Sequence, residues 1–212
     1  MFQEYLPENS IEILDSLRNI VIDYGFYLAG GTALALQLGH RYSRDLDFFT
    51  DRNFNTEILT SKLIAKGLKI RFTEEGTILS ELESISVSFF YYPYSLIFNT
   101  INFNGIRVTD FKDIAVMKLI AIAQRAEKKD YFDTVEVLKR VSLSELKEIA
   151  IKKYGKSRLN WYHIVKSLFF FSDVEGSPDP VCSDETWGKV KKFLLSKKNE
   201  IEKVFLHVED SK

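Results

Sequence analysis

The chain has 212 residues, of which 45% are hydrophobic and 14% aromatic, and its 29 basic side chains nearly balance 30 acidic ones. This length fits one large domain, or a core with an appendage. The composition supplies enough apolar residues to form a core without stabilising disulfides or metal ions. No apolar run approaches the roughly 18 residues of a membrane span, and the N-terminus lacks a signal-peptide pattern. Cys182 is the single cysteine, which excludes an intramolecular disulfide and argues against a zinc cluster. We therefore expect a cytoplasmic protein without membrane contact.

The charges are unevenly spread along the chain. Acidic residues outnumber basic ones by seven to three in residues 1–50, whereas basic residues outnumber acidic ones by twelve to eight in residues 147–203. A basic C-terminal region suits contact with a polyanion, but solvated helix faces have the same composition.

Residues 1–110 are predicted to mix helices and strands. A helix capped by Asn9 or Ser10 should open this part. The predicted elements that follow from apolar periodicity and turn residues are helices at 10–24, 32–38 and 56–66 and strands at 26–29, 46–49, 68–73, 77–81, 85–92 and 106–108.

Residues 111–212 are predicted to be helical. Asp110 can cap the first helix, and Ser142 and Glu145 form a capping box. The predicted helices run over 110–125, from about 130, from 142, over 160–171 and over 184–205, with a proline-containing linker at 172–183. The predicted class is therefore α+β: a small mixed sheet with flanking helices over 1–110, then a helical C-terminal half over 111–212.

A strand, the pair Gly30-Gly31 and a helix follow one another directly. This arrangement gathers free backbone N–H groups and the positive end of a helix dipole at one point, which favours phosphate. Glycine also permits close approach, because it has no Cβ. Many strand-to-helix turns contain glycine, so the motif alone is a weak indication.

Asp45 immediately precedes the predicted strand 46–49, and Asp47 lies within it. Side chains two residues apart in a strand share a face, so the two carboxylates should lie side by side. Their mutual repulsion favours a cation, and hard oxygen ligands suit Mg²⁺. The alternative is a pair of solvated aspartates at the start of a strand.

The two motifs together are more specific than either alone. The pattern consists of Gly30-Gly31, a spacer of thirteen residues, and Asp45-x-Asp47. It resembles the signature of the DNA polymerase β-like nucleotidyltransferase superfamily. With a later block of Lys118, Arg125, Asp130 and Asp133, the chain is similar to the AbiEii/AbiGii-type toxin family over about residues 26–140. A phosphatase of the haloacid dehalogenase type also uses Asp-x-Asp, but there a long hydrophobic strand precedes the pair, whereas here polar residues do.

The resemblance implies an enzyme that moves a nucleoside monophosphate from an NTP to an acceptor hydroxyl. It also implies the toxin of a toxin–antitoxin or abortive-infection system, with a cognate antitoxin as partner and RNA, for instance a tRNA end, or a protein side chain as acceptor. Asp45 and Asp47 would hold Mg²⁺, or Mn²⁺ in its place. The residues expected to contact the nucleotide are Gly30, Gly31, Thr32, Arg41, Ser43, Lys118 and Arg125. Residues 1–110 would form the nucleotidyltransferase core, and residues 111–212 would complete the active site.

Lys118 lies in a helix that is apolar around nearly its whole circumference. A buried lysine costs several kcal/mol without an anionic partner. The resemblance assigns Lys118 to the phosphates and an aspartate of the later block to catalysis, for which we favour Asp130, with Asp133 orienting it. The alternatives are an ion pair from Lys118 or Arg125 to one of these aspartates, and a helix-capping role for one of them.

A third carboxylate, usual in this superfamily on a later strand, is missing. Ser86 or Ser88 stands at the corresponding place in the predicted strand 85–92. Either Asp130 or Glu83 replaces it as the general base, the substrate assists, or the chain is a catalytically inactive NTP- or RNA-binding module.

The segment Phe89–Tyr94 contains five aromatic residues in six positions. Aromatic side chains in a strand commonly pack in a core, and they can also stack on bases in proteins that bind single strands. Core packing is the commoner use.

Overall fold

A computed structural model describes residues 1–181 and 185–206, so Cys182 lies outside the described residues. The chain forms two compact units, Met1–Asp110 and Phe111–Lys212. The predicted α+β class is confirmed, since a mixed sheet lies in the first unit and helices make up most of the second. No helix among the described residues is long and apolar enough to cross a membrane.

The first unit contains three α-helices and seven strands within the described residues. In chain order they are α1 (Ser10–Asp23), β1 (Tyr27–Ala29), α2 (Gly30–Leu38), β2 (Leu46–Thr50), α3 (Thr56–Ala65), β3 (Lys69–Glu74), β4 (Thr77–Leu82), β5 (Ile85–Tyr91), β6 (Ile101–Phe103) and β7 (Ile106–Val108).

The strands form one mixed sheet in the order β3-β4-β5-β2-β1-β7-β6. The central strand β2 runs antiparallel to β1 and parallel to β5. Its side chains alternate strictly: Leu46 and Phe48 are fully buried, whereas Asp47 and Phe49 are half-buried. One face of the sheet therefore carries the core, and the other carries the carboxylate.

The core face is built from aromatic rings on neighbouring strands. Phe48 of β2 and Phe89 of β5 are in register and stack with ring centroids 5.2 Å apart. Phe26 meets Phe89 edge-on, also at 5.2 Å. Burial of these rings fixes the register of β2 and β5, because a shift by one residue would bring Asp47 into the core.

Three local predictions for this unit were wrong. Neither Asn9 nor Ser10 caps α1 through its side chain, and the Asn9 amide instead donates to the Glu83 carboxylate at 2.9 Å. Helix α2 begins at Gly30 rather than Thr32. Strand β6 was not predicted, because its three residues form a strand only through pairing with β7 across the Asn104-Gly105 turn.

The helical unit contains α4 (Phe111–Gln124), α5 (Lys128–Leu138), α6 (Leu143–Tyr154), α7 (Trp161–Leu168), α8 (Trp187–Ser196) and α9 (Lys198–Leu206). Ser142 caps α6 by accepting a hydrogen bond from the Glu145 amide, as the capping box predicts. The Glu145 carboxylate does not complete the box, because it pairs with Lys112 at 2.7 Å. The single helix predicted over 184–205 was wrong, since the chain breaks at Lys197 between α8 and α9.

Candidate active site

The glycine turn and Asp47 meet because β1 and β2 are adjacent. Ala29, the last residue of β1, is paired with Asp47. Gly30 follows with a φ of +68°, and a Cβ placed there would lie 2.8 Å from Asp47 Oδ2. The carboxylate therefore occupies the space that any other residue would fill at the N-terminus of α2.

The loop that leads to β2 is fastened to the first turn of α2. The Thr32 hydroxyl donates to the Asp45 carbonyl oxygen and lies 2.8 Å from the Ser43 hydroxyl oxygen. The Arg41 guanidinium, which is buried, lies directly against Gly31. These contacts hold a cation and two hydroxyls beside the helix N-terminus.

The N-terminus of α2 has no side-chain cap, since residue 29 is alanine. The first N–H groups of a helix have no partner within the helix, and the helix dipole places positive charge there. Together with Arg41, this turn has the character of a phosphate site.

Asp45 lies immediately before β2 and is half-exposed, like Asp47. The Asp47 carboxylate lies against Gly30, and the Asp45 carbonyl oxygen accepts from the Thr32 hydroxyl in the first turn of α2. Mg²⁺ is often held by one or two carboxylates together with water and substrate phosphates, and this donor set fits that pattern. Within residues 1–181 and 185–206, no group of three or more His, Cys, Asp or Glu side chains could hold a metal.

The strand beside β2 carries serine where the superfamily usually has a third carboxylate. Ser88 of β5 is paired with Asp47, on the same face of the sheet, and is largely buried. Glu83 lies in the turn between β4 and β5 with a φ of +50°, where its carboxylate accepts from Asn9. The sheet therefore places a small hydroxyl, and no carboxylate, directly beside Asp47.

The helical unit holds the other residues of the predicted site. Lys118 Nζ lies 2.7 Å from Asp130 Oδ1 and 2.7 Å from Asp133 Oδ2. Both aspartates are fully buried, and Lys118 is 5% exposed. The ion pair that the sequence offered as an alternative to phosphate contact is therefore present, and it engages both aspartates at once.

Asp130 differs from Asp133 in the state of its second oxygen. Asp130 Oδ2 is buried and has no hydrogen-bond partner among the described residues. Arg125 Nη2 lies 3.7 Å from it, too far for a hydrogen bond. A buried oxygen without a donor is costly, so this atom is a natural place for a ligand to donate a proton.

A pocket of about 370 Å³ adjoins Arg125 in the helical unit. Its wall includes His163 and Lys166 of α7, two basic residues that the sequence analysis did not assign to a site. Tyr131 also lines it, and its hydroxyl donates to the Ser167 carbonyl oxygen at 2.9 Å. Burial raises the pKa of Tyr131 to about 12, so this hydroxyl stays protonated at neutral pH. No sequence motif indicates this pocket, because its residues come from separate helices.

Comparison with known proteins identifies the family. The family described as "Nucleotidyl transferase AbiEii toxin, Type IV TA system" matches residues 12–93, which include the glycine turn and both aspartates of β2. A protein of Aquifex aeolicus, itself uncharacterised, is 37% identical over 205 residues, covering 92% of this chain and 97% of the relative. This chain belongs to the AbiEii nucleotidyltransferase toxin family.

Solved structures share the fold of this AbiEii-family protein. The nucleotidyltransferase toxin MenT4 of Mycobacterium tuberculosis is 14% identical with a TM-score of 0.52, over 92% of this chain and 90% of MenT4. JHP933 of Helicobacter pylori is 17% identical with a TM-score of 0.50, over 93% and 95% of the two chains. The resemblance inferred from the sequence is thus confirmed, and the protein is a nucleotidyltransferase by family and fold.

Replacement of Gly30 by alanine should disturb the carboxylate as well as the backbone. Gly155 is a matched control: its φ is +82°, and a Cβ there would have no neighbour within 4 Å. Gly30→Ala and Gly155→Ala should each lose roughly 1–3 kcal/mol of unfolding free energy, because L-residues rarely adopt these conformations. Only Gly30→Ala should also weaken Mg²⁺–NTP binding, measured by calorimetry. Equal binding by both variants would contradict the proximity of Gly30 and Asp47.

Replacement of Lys118 by methionine should leave two buried carboxylates without their cation. The expected loss is about 3–5 kcal/mol of unfolding free energy in urea. Lys153→Met is the matched control, because Lys153 and Asp113 form a second fully buried pair at 2.7 Å. Both variants should be destabilised, but only Lys118→Met should weaken nucleotide binding if Lys118 contacts phosphate. A stable Lys118→Met protein would contradict the ion-pair geometry.

Proposed function

We propose that this protein transfers a nucleoside monophosphate from an NTP to an acceptor hydroxyl, releases pyrophosphate, and requires Mg²⁺ or Mn²⁺. The observation that carries the proposal is the contact between the glycine turn and Asp47, where a Cβ on Gly30 would lie 2.8 Å from Oδ2. This contact places a phosphate site next to a carboxylate. The turn could bind a phosphate group while Asp47 holds the metal ion that is bound to the same phosphate. Transfer of a nucleotide from a triphosphate requires this combination.

The triphosphate would bind at the N-terminus of α2. The amides of Gly30, Gly31 and Thr32 would donate to its oxygens, and the Arg41 guanidinium and Ser43 hydroxyl lie beside them. Because donors and dipole are fixed by the fold, they need no reorganisation when negative charge grows on the leaving pyrophosphate.

Asp45 and Asp47 would hold the metal ion through their half-exposed carboxylates. When bound, the ion neutralises charge on the phosphates and lowers the pKa of the acceptor hydroxyl. Ser88 beside Asp47 supplies a hydroxyl but cannot accept a proton at neutral pH. Ser88 therefore does not replace the missing carboxylate as the general base.

The helical unit would complete the active site through Lys118, Arg125 and Asp130. An ammonium group has three N–H donors, of which Asp130 and Asp133 use two, leaving one for a phosphate oxygen. The Arg125 side chain is 51% exposed and thus accessible to a substrate. Asp130 would act as the general base through Oδ2, which has no hydrogen-bond partner within residues 1–181 and 185–206.

Two partners accompany this function. Membership of a type IV toxin–antitoxin family supports a cognate antitoxin as partner. The acceptor is an RNA, such as a tRNA end, or a protein side chain. Either offers the hydroxyl that the reaction requires.

Removal of one carboxylate charge at the metal site should abolish Mg²⁺-dependent NTP binding. Asp45→Asn and Asp47→Asn should stay folded, with unchanged or higher stability, because each relieves repulsion between like charges in the free protein. Asp51→Asn is the control, since Asp51 is an exposed aspartate just after β2. Calorimetry with Mg²⁺ and a non-hydrolysable NTP measures the effect. Parental affinity in either site variant would refute the assignment.

Asp130→Asn should slow the chemical step and spare NTP binding, because the amide keeps the shape but cannot take a proton. Loss of a general base lowers kcat by typically about 10²- to 10⁴-fold. Asp133→Asn is a close control, since Asp133 is equally buried and equally near Lys118. Single-turnover transfer assays should show a much larger loss for Asp130→Asn. Equal losses in the two variants would assign both residues to positioning Lys118.

A further inference from the structure

Four aromatic side chains form a continuous surface on the sheet of the first unit. Phe49 of β2 stacks on Phe90 of β5 with ring centroids 5.0 Å apart and meets Tyr92 edge-on at 5.6 Å. Tyr92 in turn lies 5.0 Å from Tyr94. All four are half-buried. We call Phe49, Phe90, Tyr92 and Tyr94 the aromatic platform.

The platform lies on the face of the sheet that carries Asp47. Phe49 is two residues after Asp47 in β2, and Phe90 is two residues after Ser88, the partner of Asp47. By contrast, Phe89 is fully buried on the opposite face, and the exposed ring of Tyr91 follows the same alternation. The aromatic segment is thus divided by the pleat: one set of rings packs the core, and the other borders the site.

We call the Gly30-Gly31 turn at the start of α2 the phosphate cradle. The aromatic platform and this cradle lie on opposite sides of Asp47. Along the sheet, Asp47 is level with Ala29, and the glycine turn continues beyond Ala29 in one direction. In the other direction, Tyr27 is level with Phe49, and the two rings stack at 6.3 Å. The Asp47 carboxylate therefore lies between the helix N-terminus and the aromatic rings.

This order determines what the platform faces during the reaction. In nucleotidyl transfer the attacking oxygen and the leaving pyrophosphate are roughly in line on opposite sides of the phosphorus. If the pyrophosphate occupies the cradle at Gly30 and Gly31, the acceptor enters from the opposite side, where the platform lies. Flat, half-exposed rings at that position match the faces of unpaired bases, since every base can stack on an aromatic side chain.

A cation two strands from Phe49, on the same face of the sheet, also suits a polyanionic acceptor. Val108 of β7 is paired with Leu28, which brings the neighbouring Arg107 level with Tyr27 on the same face. Arg107 is exposed, and its guanidinium is anchored by the Gly25 carbonyl oxygen at 2.5 Å. An anchored arginine beside stacking rings is an arrangement typical of single-strand binding.

We propose that the aromatic platform stacks on the unpaired 3′-terminal bases of an RNA acceptor and presents its terminal hydroxyl to the site. This inference rests on the proposed nucleotidyl transfer and selects RNA over a protein side chain as the acceptor. The platform residues contact the bases of the acceptor and are binding residues.

The test uses Phe90→Leu, which keeps an apolar side chain but removes the ring. Tyr91→Leu is the matched control, because Tyr91 is the next residue of β5, on the opposite face and 40% exposed. The probes are two short single-stranded RNAs of equal length with a free 3′ hydroxyl. The first has all its bases, and the second is abasic at its two 3′-terminal positions. Affinity is measured by fluorescence anisotropy with the full chain, without NTP or metal, and folding is checked by the thermal midpoint.

The parent should bind the intact RNA, and Phe90→Leu should raise Kd about fivefold or more, the effect of losing one base stack. Phe90→Tyr, which restores a ring, should bind like the parent, and Tyr91→Leu should change Kd by less than about twofold. The RNA lacking terminal bases should bind the parent as weakly as intact RNA binds Phe90→Leu.

Equal binding of the two RNAs by the parent, or equal losses in Phe90→Leu and Tyr91→Leu, would overturn the proposal. Mg²⁺–NTP binding, measured on the same Phe90→Leu protein, should match that of the parent. A failure of the platform is therefore distinguishable from a failure of the metal site, which is tested by Asp45→Asn without RNA.

Discussion

The contact between Gly30 and Asp47 is the constraint on which the site in the first unit depends. Antiparallel pairing of β1 with β2 brings the end of one strand against the carboxylate of the other, and the missing Cβ of Gly30 makes room for it. The same glycine begins α2, so the positive end of that helix and the negative charge of Asp47 are neighbours. A phosphate with its cation fits between these two groups. The helix N-terminus attracts the phosphate, and the Asp47 carboxylate attracts the cation.

Burial of the apolar residues of β2 maintains the contact between Gly30 and Asp47. Leu46 and Phe48 are buried on one face of β2, which turns Asp47 and Phe49 to the other. Asp47 is thus positioned by apolar residues that take no part in the reaction. The pairing of β2 with β5 imposes the same alternation of faces on β5. There the same alternation places Ser88 beside Asp47 and Phe90 beside Phe49. Asp47, which we propose as a metal ligand, and the aromatic platform share one face because the core occupies the other.

In the helical unit, buried charge is arranged in compensated groups on α4. Asp113 pairs with Lys153, and Lys118 pairs with Asp130 and Asp133, all at 2.7 Å. Ion pairs in an apolar environment contribute little net stability but penalise any packing that separates them. They therefore fix how α5 and α6 pack on α4. They also hold Asp130 in one orientation, with one oxygen bound by Lys118 and the other without a donor in the described part of the chain.

Features that depend on neighbouring residues in the chain were predictable from the sequence. The glycine turn, the alternation of β2 and the Ser142 cap rest on local chemistry and are present in the structure. Features that depend on long-range pairing were not: β6 exists only against β7, and the two faces of the aromatic segment require the β2–β5 register. Lys118 illustrates the boundary, since its burial followed from the apolar helix, whereas its two simultaneous partners did not.

The central claim is that Asp45 and Asp47 hold a metal ion whose other ligands include phosphates bound at the Gly30-Gly31 turn. A crystal structure of the protein with Mg²⁺ and a non-hydrolysable NTP tests it most directly. We expect Mg²⁺ at about 2.0–2.1 Å from an oxygen of each aspartate, and triphosphate oxygens accepting from the first amides of α2. A triphosphate bound elsewhere, or a metal ion that touches neither aspartate, would contradict the account.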